Sequence, residues 1–575
     1  MSIKNETRRI EAVISDIIRA IWDALRYVDH GVSAVDAKTC FVLAYSAYVA
    51  LLNRIEKADD LLTHIESKVS ERRAMFVKSI GVDKLSIVFH LTQKFSADDF
   101  RDYMYANPRN DGWRDAEQET PESVSKLALR ILDVKPGERV ADFGSGFGDF
   151  LTLAAGQVKD NPLYGVEINT DASEISTIRT ELFSGNATIE LGDMFALTED
   201  KKFDKIFSNY PFNGNLTRKG EEYLDLLRNR LPDARIGRRT DWVFNCLLLD
   251  HLTDKGKAVA IMTNGDAWNQ SDQDIRRYFI SNGLIEAVVA LPPRLFEYTP
   301  IATTLIVFSR GNKSVRMIDA SNFSERGGII RRIDILPDSS VERIVKLLTE
   351  DGEHSATVDL KKLQENDYVI YPPRYLNAVE FKDGVEFGSL MKRVTRGTQL
   401  MGAKLAELTS DVPTNTRYLN VRNIQDGMIS EDLPYLKELD PKLDKYCVGN
   451  GNLLISKTGR PFKVAVAEVE AGKKLLGSDN LFIIELDESK VNPYFLKAFF
   501  DSEIGATVLA SIAVGNALPI ISVESLKKLT VPLPPMDKQD EIAKRYLAKA
   551  DEIKVLQLRL QKAQNELREI FEEVD

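Results

Sequence analysis

The chain has 575 residues, 43% hydrophobic and 28% charged, a composition that excludes a single small module and a disordered polar tract and predicts three or four folded units. With 76 Lys and Arg against 87 Asp and Glu, the net charge of -11 excludes a surface that coats nucleic acid everywhere and leaves local basic patches for such contact. Cys40, Cys246 and Cys447 form no CxxC pair, which argues against a disulfide framework or structural zinc, and no apolar run reaches the ~18 residues of a membrane span, so a cytoplasmic location without metal or membrane is expected.

No proline precedes Pro108 and the only earlier glycines are Gly31 and Gly81, which predicts an N-terminal helical domain over residues 1–110. Ile10, Val13, Ile14, Ile17 and Ile18 give its opening helix one apolar face. Short β-rich runs at 140–143, 163–168, 187–191, 204–209, 258–262, 286–291 and 303–309 then alternate with helical stretches, predicting an α/β unit over 111–376 with seven strands in an open, largely parallel sheet. The ligands of such a sheet lie at the carboxyl ends of its strands. Tyr371-Pro372-Pro373-Arg374-Tyr375 marks a junction, after which short strands and Gly-Asn turns predict an α+β module over 385–535. The remainder, 536–575, reads as one long helix. Ile553, Leu556, Leu560, Ala563, Leu567 and Ile570 follow coiled-coil spacing along it, and 537–572 would span roughly 54 Å.

Chemistry-bearing residues fall at the predicted strand ends. Asp142-Phe143-Gly144-Ser145-Gly146 follows the first strand, Glu167 ends the second and Asp193 follows the third. The glycines allow close backbone approach, and carboxylates at successive strand ends suit the hydroxyls and amine of an adenosine without phosphate. This order resembles the S-adenosylmethionine site of class I methyltransferases, which implies S-adenosyl-L-methionine as cofactor, with Asp142, Gly144, Ser145 and Gly146 near its methionine part, Glu167 at the ribose and Asp193 at the adenine amino group.

The fourth strand runs into Asn209-Tyr210-Pro211-Phe212, similar to the (N/D/S)-P-P-(Y/F/W) motif of amino-methyltransferases with Tyr in place of the first proline. An exocyclic amine is a poor nucleophile because its lone pair is delocalised into the ring. The resemblance implies that the Asn209 oxygen and the carbonyl of Tyr210 accept its hydrogens, that Pro211 stiffens the turn and that Phe212 stacks on the base. Tyr210 keeps the carbonyl and predicts a less preorganised turn. Glu119-Thr120-Pro121-Glu122 resembles the segment that closes over the cofactor methionine, through Thr120 and Pro121. Leu291-Pro292-Pro293-Arg294-Leu295-Phe296, followed by Tyr298-Thr299-Pro300-Ile301-Ala302-Thr303-Thr304, resembles a stretch of type I modification subunits, with Phe296 the candidate for the second face of a base sandwich.

From Glu119 to Leu376 the chain is similar to the modification subunit of type I restriction systems. From Phe387 it resembles half a specificity subunit, on Arg417-Tyr418-Leu419-Asn420-Val421-Arg422-Asn423-Ile424, Asn452-Leu453-Leu454-Ile455-Ser456-Lys457-Thr458-Gly459 and Val531-Pro532-Leu533-Pro534-Pro535. Residues 391–480 hold 14 basic against 11 acidic residues, and 216–240 hold seven against four. Arg235, Arg238, Arg239, Arg422, Lys457 and Arg460 are the candidate phosphate contacts. One recognition unit and one helix imply a homodimer, joined through the C-terminal helices, that reads double-stranded DNA at an interrupted palindrome. No GxxxxGK(S/T) loop or nuclease constellation is present, so cleavage belongs to a separate restriction or defence subunit, if there is one. The resulting expectation is a DNA adenine-N6 methyltransferase that flips its target base. The alternatives are an RNA or protein-glutamine methyltransferase, or a DNA-binding scaffold in which Tyr210 has abolished turnover.

Overall fold

A computed structural model gives the fold of residues 3–28, 36–106, 119–158, 160–212, 214–238, 241–297, 299–326, 333–376, 381, 383–400, 402–425, 427–514 and 518–569; Arg239, Tyr298 and Ile570 lie outside the described residues. The chain divides between Pro372 and Pro373 into two units.

Among the described residues the first unit begins with the α-helices α1 Ile3–Val28, α2 Ala37–Asn53, α3 Ala58–Lys68, α4 Glu71–Lys78, α5 Val88–Thr92 and α6 Ala97–Ala106. Helix α1 turns its apolar face inward, with Ile17, Ile21 and Leu25 buried and Val13, Ile14 and Ile18 packed beside them. Asp36 starts α2 by accepting from the backbone N–H of Thr39 at 2.7 Å, which satisfies one orphan donor of its first turn. These helices share a core with Phe147, Ala172, Ile175 and Ile178 of the following α/β part. Two buried side chains fix that junction. Glu174, 1% exposed, accepts from Arg72 Nε at 2.6 Å and Arg73 Nε at 2.7 Å. Arg179 donates to the carbonyls of Met104, Tyr105 and Phe147 and pairs with Asp149 Oδ1 at 2.7 Å.

The α/β part is built on strands β1 Val140–Phe143, β2 Leu163–Glu167, β3 Ala187–Leu191, β4 Phe203–Ser208, β5 Leu252–Thr263, β6 Ile285–Ala290, β7 Thr303–Phe308 and β8 Ser314–Asp319, with Ser355–Asp359 at one edge. The order is Ser355–Asp359, β8, β6, β7, β5, β4, β1, β2, β3. Strands β1 to β5 pair in parallel, whereas β7 is antiparallel to both β5 and β6. The sheet is therefore mixed and nine-stranded, in place of the seven largely parallel strands expected. Strand β6 returns to β7 without a crossover helix, which forces an antiparallel pairing. Of the two extra strands, β8 escapes the sequence pattern because Arg316 interrupts its apolar run. Its guanidinium is buried by the Leu347 carbonyl at 2.7 Å, Ser355 at 2.8 Å and Thr357 at 2.9 Å.

Strand β1 lies between β2 and β4, so the connections after β1 and β4 leave in opposite directions at this point of the sheet, where open α/β sheets bind their ligands. Helices α7 Glu122–Leu132, α8 Asp149–Gln157, α9 Thr170–Glu181, α10 Arg218–Arg230, α11 Trp242–His251 and α12 Gln273–Ser281 accompany the sheet.

The second unit is an α+β module. A four-stranded sheet of Met391–Arg396, Leu481–Leu486, Leu453–Ser456 and Val464–Val466 stands with a five-stranded sheet centred on Thr416–Leu419. Gly384–Glu386 pairs antiparallel with Thr530–Pro532, which brings the start of the module to the base of the long helix Met536–Glu569. That helix is anchored on helix Pro493–Asp501: Gln539 is buried and accepts from the N–H of Asn492 at 3.0 Å, and Lys497 donates to the Tyr546 hydroxyl at 2.9 Å. Beyond Tyr546 the helix leaves Ile553, Leu556, Leu560 and Leu567 exposed at 48%, 55%, 59% and 73%. Among the described residues, no helix is long and apolar enough to cross a membrane.

Candidate active site

Three glycines with positive φ, Gly144 at 75°, Gly146 at 51° and Gly148 at 77°, turn the chain from β1 into α8. A Cβ at Gly148 would come within 2.5 Å of Ser176 Oγ and 3.0 Å of its Cα, so glycine is required there for helix packing as well as for the turn. The N–H groups of Gly144 and Ser145 donate to the Val166 carbonyl, each at 3.0 Å, and tie the loop to β2. Glu167 completes this tie. Its carboxylate accepts from Gly146 N at 2.8 Å and from Asn169 N at 2.7 Å. Burial raises the Glu167 pKa against those backbone N–H groups, and burial together with Glu167 and Asp149 holds Asp142 well above the usual carboxylate range. Asp193, half-buried after β3, accepts from Phe195 N at 3.0 Å and from the Thr217 hydroxyl at 2.5 Å.

Thr120 and Pro121 lie across this edge. The Thr120 N–H donates to Asp149 Oδ2 at 2.9 Å, and the Pro121 carbonyl accepts the first hydrogen bonds of α7. The Thr120 hydroxyl, expected at the cofactor, accepts from Asn209 Nδ2 at 3.1 Å. This contact orients the Asn209 amide and leaves Oδ1 buried without a hydrogen-bond partner. An orphaned buried acceptor costs free energy in the free protein and is common at functional sites.

Tyr210 turns its side chain into the core. Its side chain is fully buried, stacks on Phe244 with centroids 4.6 Å apart and planes at 15°, and donates its hydroxyl to Asn245 Oδ1 at 2.8 Å. Burial, then Asp241 and Asp266, keeps this phenol protonated. Proline stiffens such a turn through its ring; here a stacked, hydrogen-bonded side chain supplies the restraint. Phe212 is half-buried, and Phe296, 2% exposed, meets it edge-on with centroids 5.7 Å apart at 83°. No base fits between rings in that arrangement, because two stacking distances need about 7 Å between parallel faces. Phe296 backs Phe212 from the core.

A cavity of about 490 Å³ opens beside Pro211 and Phe212, lined also by Thr263, Asn264, Asn269 and Thr303. Its size suits an organic ligand. Of this polar lining, Thr303 falls within the 298–304 stretch already singled out in the sequence, whereas Thr263, Asn264 and Asn269 escape sequence reasoning, as does Asn245, although a lone amide within the apolar run of α11 is a legible signal. The cavity wall is braced by carboxylates: Thr263 N donates to Asp241 Oδ2 at 2.8 Å and Asp241 N to Asp266 Oδ2 at 2.7 Å. Burial, with Asp241 and Asp272 nearby, pushes Asp266 up to about 9.

Of the candidate phosphate contacts, Arg235 and Arg238 are exposed after α10, Arg238 paired with Glu221 at 3.2 Å. In the second unit Arg422 and Arg460 are exposed and Lys457 is half-buried. Lys463 Nζ donates to the Val421 carbonyl at 3.3 Å and the Ile424 carbonyl at 2.6 Å, so the turn carrying Arg422 lies beside the hairpin carrying Lys457 and Arg460.

Residues 100–384 match the N-6 DNA Methylase family. Over this segment the chain is similar to N6-adenine DNA methyltransferases. The chain is 24% identical over 352 residues to the type I restriction enzyme MjaVIII methylase subunit of Methanocaldococcus jannaschii, covering 54% of this chain and 60% of the relative. It is 27% identical over 335 residues to the type I restriction enzyme HindI methylase subunit of Haemophilus influenzae, covering 53% of this chain and 74% of that one. The crystal structure of the type I restriction-modification system methyltransferase subunit from Streptococcus thermophilus shares the fold with a TM-score of 0.51 at 17% identity, over 63% of this chain and 99% of that one. S-adenosylmethionine is the cofactor of such a methyltransferase domain. The β1 to β3 edge fits it: Asp142 Oδ1 and Ser145 Oγ are buried without partners, and the neighbouring acceptors are carboxylates suited to hydroxyls and amines.

Two outcomes follow for the methyltransferase domain. Tyr210→Phe strands Asn245 Oδ1 and is expected to lower the unfolding free energy by about 1 to 3 kcal/mol in a urea titration. Asp266 is neutral when folded up to about 9, whereas an unfolded Asp ionises near ~4. The folded state thus holds the extra proton in that window, and the stability this group contributes, full below pH ~4, falls as pH rises towards 9. Asp266→Asn removes that slope, so its melting midpoint is expected to gain on the wild type at pH 8 and to match it more closely at pH 4.5.

Proposed function

We propose that the protein is a sequence-specific DNA adenine-N6 methyltransferase that flips its target base, and that it serves as the modification component of a restriction or phage-defence system. The observation that carries this reading is Asn209: a buried amide oxygen without a partner, at the end of β4, two residues before the Pro211 that lines the cavity, on the strand next to β1 and its Gly-rich turn. In this reading the flipped adenine enters the cavity and stacks on Phe212, a contact worth roughly 1 to 3 kcal/mol. Asn209 Oδ1 and the Tyr210 carbonyl accept the two amine hydrogens, which draws the nitrogen lone pair out of conjugation. Thr120 and the Tyr210 side chain hold both acceptors still, so little reorganisation is left for the reaction. Bound S-adenosylmethionine supplies an electrophilic methyl group; Asp142, Gly144, Ser145 and Gly146 would hold its methionine part, Glu167 its ribose and Asp193 its adenine amino group.

Residues 385–535 serve in this reading as the target-recognition domain, with Arg422, Lys457 and Arg460 on adjacent turns against the phosphates, and Arg235, Arg238 and Arg239 at the methyltransferase domain. The exposed Ile553, Leu556, Leu560 and Leu567 support a homodimer through the C-terminal helices, since an unpaired apolar seam is costly in water. Such a dimer reads two half-sites of a palindrome at a spacing set by helix length.

Single-molecule sequencing of genomic DNA from cells that express the chain alone tests the reading. The expected result is modified adenine at one interrupted palindrome, lost with Asn209→Ala. A chain that binds S-adenosylmethionine yet leaves all adenine unmodified is a scaffold, and a non-palindromic site excludes the symmetric dimer.

A further inference from the structure

Once the adenine amine is held by two acceptors, every remaining polar atom of that base, N1, N3 and N7, is itself an acceptor and requires a donor from the cavity. Two lining side chains are placed to supply one. Thr303 opens β7, is 2% exposed, and its Oγ1 is buried without a hydrogen-bond partner. Thr303 pairs with Thr263 across β5 and β7, and Asn264 follows directly. Asn264 is 5% exposed, and its Oδ1 accepts from the Thr304 hydroxyl at 2.6 Å. That bond fixes which end of the amide is occupied and leaves Nδ2 without a partner among the described residues. Thr303 and Asn264 both line the cavity next to Pro211 and Phe212.

We infer that Thr303 and Asn264 read the ring nitrogens of the flipped adenine and so determine which base is accepted at the methylated position. The inference rests on the adenine-methyltransferase reading above. A buried hydroxyl with no partner is a net cost to the free protein, offset when a ligand acceptor reaches it. Donors aimed at ring nitrogens also reject guanine, whose N1 carries a hydrogen and would leave two donors facing each other. Thr304 acts indirectly, since by occupying Asn264 Oδ1 it keeps the donor end of that amide towards the cavity.

The test uses the full chain, tritium-labelled cofactor, and duplexes carrying the sequenced target site with adenine or its 1-deaza, 3-deaza or 7-deaza analogue. Thr303→Val removes the hydroxyl at nearly constant volume, and Asn264→Asp keeps the acceptor for Thr304 while removing the donor. Each variant is expected to lose about tenfold in kcat/KM on adenine. At least one deaza analogue should slow the wild type by a similar factor and slow Thr303→Val no further. Cofactor affinity should stay within twofold, and the melting temperature of Thr303→Val should equal or exceed that of the wild type. Undiminished activity of Thr303→Val, a full deaza penalty in both variants, or a melting temperature lowered by several degrees overturns the inference while leaving adenine methylation standing. A wild type that binds cofactor and methylates no adenine overturns the underlying reading and this inference with it.

Discussion

The hydrogen bond from Asn209 Nδ2 to the Thr120 hydroxyl is the constraint on which the proposed site depends, because it decides which end of a symmetric-looking amide is left without a partner. In the proposed reaction, the same side chain rotated by half a turn would present a donor to an amine that needs an acceptor. The restraint extends outward. Thr120 is fixed through its N–H on Asp149, Asp149 through Arg179, and Arg179 through the carbonyls of Met104 and Tyr105 in the N-terminal helices. A helical segment with no chemistry-bearing residue of its own thereby sets the orientation of the amide at the end of β4. Its core, shared with α9, makes this coupling stiff, since close-packed interiors transmit small displacements.

The turn after β4 answers the same demand by a different route. A buried phenol with a stacked neighbour and a satisfied hydroxyl fixes the backbone carbonyl of residue 210 where a proline ring would otherwise do so. The cost moves to the surroundings. Asn245 must sit in an otherwise apolar helix, and the adjoining wall must accommodate Asp241, Asp266 and Asp272, with Asp266 kept neutral by burial.

The carboxyl-edge motifs are legible in the sequence because each coincides with the end of a β-rich run: the glycines after β1, Glu167 on β2, Asp193 after β3 and Asn209 after β4. Their mutual arrangement is less so. The Thr120-Pro121 segment is legible, but the bond from Asn209 to Thr120, between residues 89 apart, leaves no signal in the sequence. Phe296 reads as a stacking face, yet its neighbours on β6 and β7 draw it into the core, where it meets Phe212 by an edge. Strand β8 is hidden by Arg316, a charge that becomes compatible with a sheet through the Asp351 carboxylate and through carbonyl and hydroxyl partners from distant segments. Thr303 and Asn264 look like ordinary strand-end residues, and what distinguishes them is the space in front of them.

The most direct measurement of the central claim is the single-turnover rate of methyl transfer by Asn209→Asp compared with Asn209→Ala, with cofactor affinity determined for each. If an acceptor held by Thr120 is what activates the amine, Asp preserves it, because the Thr120 hydroxyl donates as readily to a carboxylate, and transfer should stay within about tenfold of the wild type. Alanine should lose roughly a hundredfold or more at unchanged cofactor affinity. Equal rates for the two variants, at either level, would contradict the account.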